Sequence, residues 1–198
     1  MFEENPKARS DLKPGTLYAI WGIAGWIYYG QVAADKSVAF YFRRDRKIAS
    51  SADVLASPIM SRMTIVYASV GQALRSGAWK KLGRYPLRDE LGSVRSVVQW
   101  PVGTLDVTVW IGQVPSRTTR VEDPSIQNLE IIADWDAVYH VPARLAVDYA
   151  PDEAIQTVAT AWAIGGPIWR ERRVKEEFAR RSDKLWHELP ADWVPTAL

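Results

Sequence analysis

Short apolar stretches alternate with turn residues along the first half of the chain, and β-forming residues dominate them. Lys13-Pro14-Gly15 is a turn signal, and TLYAIWG at 16–22 predicts a first strand. Gly22-Ile23-Ala24-Gly25 suits a hairpin connection to a second strand, WIYYGQVAA at 26–34. Gly30 within that strand marks a bulge or a close backbone approach. Asp35-Lys36 is a turn, and SVAFYFR at 37–43 predicts a third strand. Three strands in quick succession predict an antiparallel meander.

The pattern then loosens. RDRKIASSADVL at 44–55 is polar and mildly helical, and Pro58 punctuates it. In IMSRMTIVYA at 59–68, Ile59, Met63, Ile65 and Tyr67 partly alternate, which suits a strand. SVGQALRSG at 69–77 reads as one or two helical turns with Gly77 as the C-cap. WKKLGRYPL at 79–87 predicts a short strand whose first residue, Trp79, belongs in the core beside the meander. SVVQW (96–100), DVTVWIG (106–112) and LEIIADW (129–135) are further strand candidates, although LEIIADW suits a helix equally well. ARLAVDYA at 143–150, after Pro142, reads as a short helix.

PDEAIQTVATAWAI at 151–164 opens with Pro and two acids, the signature of a helix start. Gly165-Gly166 ends it, and Pro167 starts a second helix over 168–189 with Val174, Phe178, Leu185 and Leu189 near one face. The fold class expected is α+β: an antiparallel, strongly bent sheet or partly open β-barrel with a C-terminal helical hairpin. The expected organisation is a flexible leader over 1–12, a β-rich domain over 13–150, and a helical extension over 151–198 packed on it.

Composition narrows the chemistry. Of 198 residues, 47% are hydrophobic and 24% charged, which is ordinary for a globular chain. There are no cysteines, so disulfides, thiolate metal sites and cysteine nucleophiles are excluded. The two histidines, His140 and His187, lack helical ligand spacing, and no metal site is expected. No apolar run is long enough to span a bilayer, and the opening MFEENPKARSDLKPG lacks the apolar stretch of a signal peptide. A cytoplasmic protein without a membrane partner is the expectation. Ten tryptophans (at 21, 26, 79, 100, 110, 135, 162, 169, 186 and 193) suit a β-rich core or a contact surface.

No phosphate-binding glycine loop and no nucleophile elbow is present. Paired carboxylates occur at Glu122/Asp123, Asp134/Asp136 and Asp152/Glu153; such pairs serve glycoside hydrolysis or hard-cation binding, but are commoner on loops and caps. Arg43-Arg44-Asp45-Arg46-Lys47 follows an aromatic strand, a combination that can bind single-stranded nucleic acid or simply protect a strand end. Net charge is +2, but residues 43–120 hold 13 basic and 5 acidic side chains, whereas 121–153 hold 1 basic and 8 acidic. Opposed patches of this size steer charged partners when they face solvent.

The stretch KPGTLYAIWGIAGWIYYGQVAADKSVAFYF resembles the opening of the immunity protein 26 family of bacterial polymorphic-toxin systems. The resemblance rests on Gly15-Thr16-Leu17-Tyr18-Ala19-Ile20, then Tyr28-Tyr29-Gly30-Gln31-Val32, then Ala39-Phe40-Tyr41-Phe42. Gly77-Ala78-Trp79-Lys80-Lys81-Leu82-Gly83 resembles the family's G-x-W-x-x-x-G step, with Pro86-Leu87 after it. It covers 13–88, extends loosely over 89–150 and leaves 151–198 uncovered; Trp21, Trp26 and the added helices depart from the pattern. The resemblance implies a protein that binds and neutralises a cognate toxin, without catalysis and without a cofactor. Because many toxins that attack nucleic acids are basic, the acidic segment is the natural capture surface, and Glu122, Asp123, Glu130, Asp134 and Asp136 are its candidates. The family label is shared with small phosphotriesterase-like proteins. A small hydrolase is therefore the second reading, and a nucleic-acid or ligand-binding module the third.

Overall fold

The structure is a computed structural model that describes residues 1–101, 103–158 and 165–182, the last five of these by backbone alone. The described residues form two compact units: residues 1–94 with 133–158, and residues 95–132 with 165–182. This partition differs from the expected division into 13–150 and 151–198.

The first unit is built on a curled six-stranded half-barrel. Its meander is β1 (Thr16–Trp21), β2 (Ile27–Val32) and β3 (Val38–Asp45), each antiparallel to the next. β4 (Ile59–Ile65) pairs with β3, β5 (Trp79–Arg84) with the far side of β1, and β10 (Asp134–Trp135) runs parallel to β4. The strand order is β10-β4-β3-β2-β1-β5, and the class is α+β as expected.

Both faces of the meander are buried, so its strands read as continuous apolar runs rather than as alternation. Tyr18, Ile20, Tyr28, Val38, Phe40 and Trp79 point to one face, where α2 (Tyr67–Arg75) and α4 (His140–Tyr149) add Val70, Ala73, Leu74, Val141 and Leu145. Leu17, Ala19, Tyr29 and Tyr41 point to the other, where α1 (Ser51–Ala56) adds Val54. Gly30 fulfils both sequence expectations. The ladder shifts register between Tyr28 and Gly30, and a Cβ there would sit 2.8 Å from Val38 Cγ1 and 2.9 Å from the Phe40 ring.

Buried Gln31 ties the sheet together. It accepts from the Tyr41 hydroxyl at 2.7 Å and donates at 3.3 Å to the carbonyls of Gly15, Tyr85 and Pro86. At the other hairpin, Lys36 takes a positive φ of 66°, and Asp35 accepts from the Ser37 amide and from Arg62.

Polar composition predicts a loose leader over 1–12, yet this segment packs along α2. The Phe2 amide donates to Gly77 O at 2.9 Å, the Asn5 amide to Arg75 O at 3.1 Å, and Leu12 is buried. Gly77, with φ of 72°, closes α2 as its sequence position predicts.

The strands of the second unit are β6 (Ser96–Gln99), β7 (Asp106–Ile111), β8 (Val114–Arg120) and β9 (Glu130–Ile131). They form a four-stranded sheet in the order β8-β7-β6-β9. Val98, Trp100, Val107, Val109, Val121, Ile126 and Ile168 make its core. Ile168 opens α6 (Ile168–Ser182), whose Lys175 sits over the Trp100 ring at 4.2 Å. A short α3 (Asp89–Gly92) and an α5 (Pro151–Thr157) complete the first unit. Phe178, Leu185, Leu189 and the span 159–164 lie outside the described side chains.

Candidate functional site

The five acidic residues singled out from sequence are divided between the units: Glu122, Asp123 and Glu130 in the second, Asp134 and Asp136 in the first. Two of them have structural work. Asp123 caps the 3-10 turn Pro124–Ile126, accepting from the Ser125 hydroxyl and amide, from Arg117 and from Thr119. Those bonds, the Ser125 hydroxyl's foremost, hold its carboxyl well below the usual carboxylate range. Asp136 accepts from the Val138 and Tyr139 amides at 2.8 and 2.9 Å and so organises the entry to α4. Glu122 is exposed beside Arg120, at 3.5 Å, and Glu130 is half-buried in β9. Asp134 is exposed, opposite Thr64 in the short β10–β4 ladder.

A corner of the first unit gathers Asp134 and Asp136 with exposed aromatic side chains. The ladder of β10 with β4 continues into a bond from the Val66 amide to Trp135 O at 3.0 Å. The Ala137 amide then donates to the Ser69 hydroxyl at 2.9 Å, which fixes the start of α2 against the segment leading into α4. Tyr67 and Tyr139 lie on these two joined segments and are 61% and 70% exposed; the Tyr67 hydroxyl donates to Ser10 O at 3.0 Å, and Val66 lies beside Tyr67 in the chain. Tyrosine is enriched at the cores of protein–protein interfaces relative to the rest of the surface.

The Trp135 ring meets His140 edge-on and lies 5.0 Å from the Arg144 guanidinium. Arg144 is in turn paired at 2.7 Å with Asp148, both side chains being almost wholly buried. Sequence reasoning found Asp134 and Asp136 here but missed Tyr67 and Tyr139. Their polarity pattern gave no signal: Tyr67 falls on an apparent apolar alternation, and Tyr139 precedes a helix whose start has no capping side chain of its own.

The basic run at 43–47 is largely engaged within the fold. Arg44 forms a two-pronged pair with Glu153 of α5, at 2.6 and 3.2 Å. Its guanidinium lies over the rings of Trp26 at 4.1 Å and Tyr149 at 4.6 Å, while Arg46 covers Trp26 at 3.6 Å. Arg43 pairs with Asp45 at 2.8 Å. The Arg44 guanidinium lowers the Glu153 carboxyl below its usual range. Burial raises the Tyr28 hydroxyl at the same place. The Tyr28 hydroxyl and Trp26 Nε1 are buried without a partner in hydrogen-bond geometry, although both adjoin the Arg44–Glu153 pair. The recess these groups line holds only about 10 Å³, roughly one water. The cluster thus docks α4 and α5 on the sheet rather than presenting free cations to a phosphate backbone.

Among the described residues, no three His, Asp or Glu side chains gather into a group that could hold a metal ion. No described helix is long and apolar enough to cross a membrane. No protein-family model, no curated protein and no solved structure matches the chain.

Proposed function

We propose that the protein is an immunity protein of the cytoplasm that captures a cognate basic toxin through the Asp134–Tyr139 corner and blocks it without catalysis. The observation that supports this reading is that the joined segments carrying Asp134 and Asp136 also carry two exposed tyrosines, Tyr139 and Tyr67. Tyrosine is among the residue types that dominate binding energy at protein interfaces. Carboxylates around such anchors speed the approach of a cationic partner.

The resemblance in sequence points to the same class of function. Two side chains allow a clean test, because Asp134 and Tyr139 carry the corner's charge and apolar area without capping a helix. Tyr139→Ala removes an anchor, for which a loss of about 2 kcal/mol, or about 30-fold in affinity, is expected. Asp134→Lys reverses a charge and slows association. The experiment is co-expression of the wild-type chain with the toxin encoded beside its gene, followed by growth and binding measurements. Protection by the wild type that is lost in Tyr139→Ala/Asp134→Lys supports the reading; no binding and no protection by the wild type overturns it.

A further inference from the structure

The N-terminal segment reaches the corner at Ser10, and the contact there is reciprocal. The Ser10 hydroxyl donates to Tyr67 O at 2.7 Å, and the Tyr67 hydroxyl donates to Ser10 O at 3.0 Å. Tyr67 is the first residue of α2, so the two bonds close a ring between that helix and the N-terminal segment. They hold the tyrosine at both ends, by its own carbonyl and by its hydroxyl.

The segment is fastened on both sides of Ser10. Arg75 donates to Ala8 O at 3.4 Å, Asp11 O accepts from the buried Tyr18 hydroxyl, the Asp11 carboxylate pairs with Lys81, and Leu12 is buried. Gly71 lets the segment lie this close to α2. A Cβ there would sit 2.7 Å from Ser10 Oγ and 3.3 Å from Ser10 N. Glycine is the poorest residue for a helix interior short of proline, and α2 carries it where Ser10 crosses.

An exposed, untethered tyrosine samples several rotamers, and a partner must freeze one of them on binding. Tyr67 is 61% exposed, yet its hydroxyl is anchored to a segment that is itself fixed to the fold. Its ordering precedes any encounter, and a side chain ordered in advance binds more tightly than a free one of equal area. If the clasp served only to fasten the segment, breaking it would leave binding unchanged. Leu12, the Asp11–Lys81 pair and the Phe2 and Asn5 amides fasten that segment independently.

We propose that Ser10 is a positioning residue of the Asp134–Tyr139 corner, holding the Tyr67 ring in the orientation in which it meets the toxin. This inference rests on the reading of the corner as the toxin-binding surface. Three variants break the clasp from different sides. Ser10→Ala removes the bond to Tyr67 O. Tyr67→Phe keeps the ring and removes the bond to Ser10 O. Gly71→Ala sets a methyl against Ser10 and leaves both partners of the clasp in place.

Affinity is titrated by calorimetry against the toxin of the co-expression experiment. Each variant is expected to bind about fivefold more weakly, the cost of ordering one side chain on binding. The double variant Ser10→Ala/Tyr67→Phe is expected to lose little more than either single one, far less than the roughly 25-fold of two independent losses, because both release the same ring. A second readout needs no toxin: fluorine NMR of a fluorotyrosine placed at position 67 of the free chain. Its resonance is expected to move toward that of the free amino acid in Ser10→Ala and in Gly71→Ala. A resonance unmoved in both, or wild-type binding matched by all three variants, would overturn the role of Ser10 and leave the corner standing. No binding by the wild-type chain would overturn the corner and this inference with it.

Discussion

Trp79 shows how one residue joins several elements. It is 1% exposed, its Nε1–H donates to Ala137 O at 3.0 Å, and its ring meets Tyr18 and Phe40. Its place after Gly77 at the start of a strand made its burial legible in the sequence; the hydrogen bond to Ala137, 58 positions away, was not. Trp79→Ala should cost about 3–5 kcal/mol, the range for large aromatic deletions in cores, and a urea melt measures it. Carboxylates set the acid limit of stability. Burial alone would raise Asp35 and Asp11, but bonds from Ser37 and Arg62 to the first, and from Lys81 and Lys13 to the second, leave both below the ordinary value of 3.8. A carboxyl whose folded pKa is depressed binds fewer protons folded than unfolded. Its stabilisation is present above 3.8 and lost as the pH falls through the lowered value. The melting temperature should therefore drop steeply below about pH 4, and Asp35→Asn should flatten that slope.

At the scale of elements, the meander was legible to within a residue or two, because β-formers between strong turn signals leave little choice. The strand β8 was not. Its sequence VPSRTTR is exposed along nearly its whole length and has no apolar alternation; only the turn at Gly112 and the pairing with β7 make it a strand. LEIIADW, which suits a strand or a helix equally in sequence, forms strand, but in two pieces. It supplies β9 to one sheet and β10 to the other, so the chain leaves the second unit and enters the first within one apolar run. That partition also divides the acidic segment, which sequence alone presents as a single patch. The helix α4 was foreseen from its apolar residues, but its buried Arg144–Asp148 pair was not. Asp148→Ala leaves the guanidinium of Arg144 buried beside Trp135 without its main counter-charge, and a loss of about 3–5 kcal/mol is expected in a denaturant melt. Because Trp135 underlies the corner, the same variant should also weaken partner binding more than an exposed charge change does.

For the whole molecule, the proposed function requires that one corner of the first unit recognise a cationic protein through aromatic anchors beside Asp134 and Asp136. Charge and contact make separable contributions: charge governs the encounter, and buried aromatic area governs dissociation. The capping roles of Asp123 and Asp136 make them poor probes of either, since their removal damages the fold locally. Asp134 and Tyr139 are the informative pair. The most direct measurement is surface-immobilised binding kinetics against the toxin proposed as its partner, at low and physiological salt, for wild type, Asp134→Lys and Tyr139→Ala. Asp134→Lys should slow association and reduce its salt dependence with dissociation nearly unchanged, and Tyr139→Ala should speed dissociation about 30-fold. Tight binding by the wild type with kinetics identical in all three proteins, at both salt concentrations, would contradict the assignment of this corner.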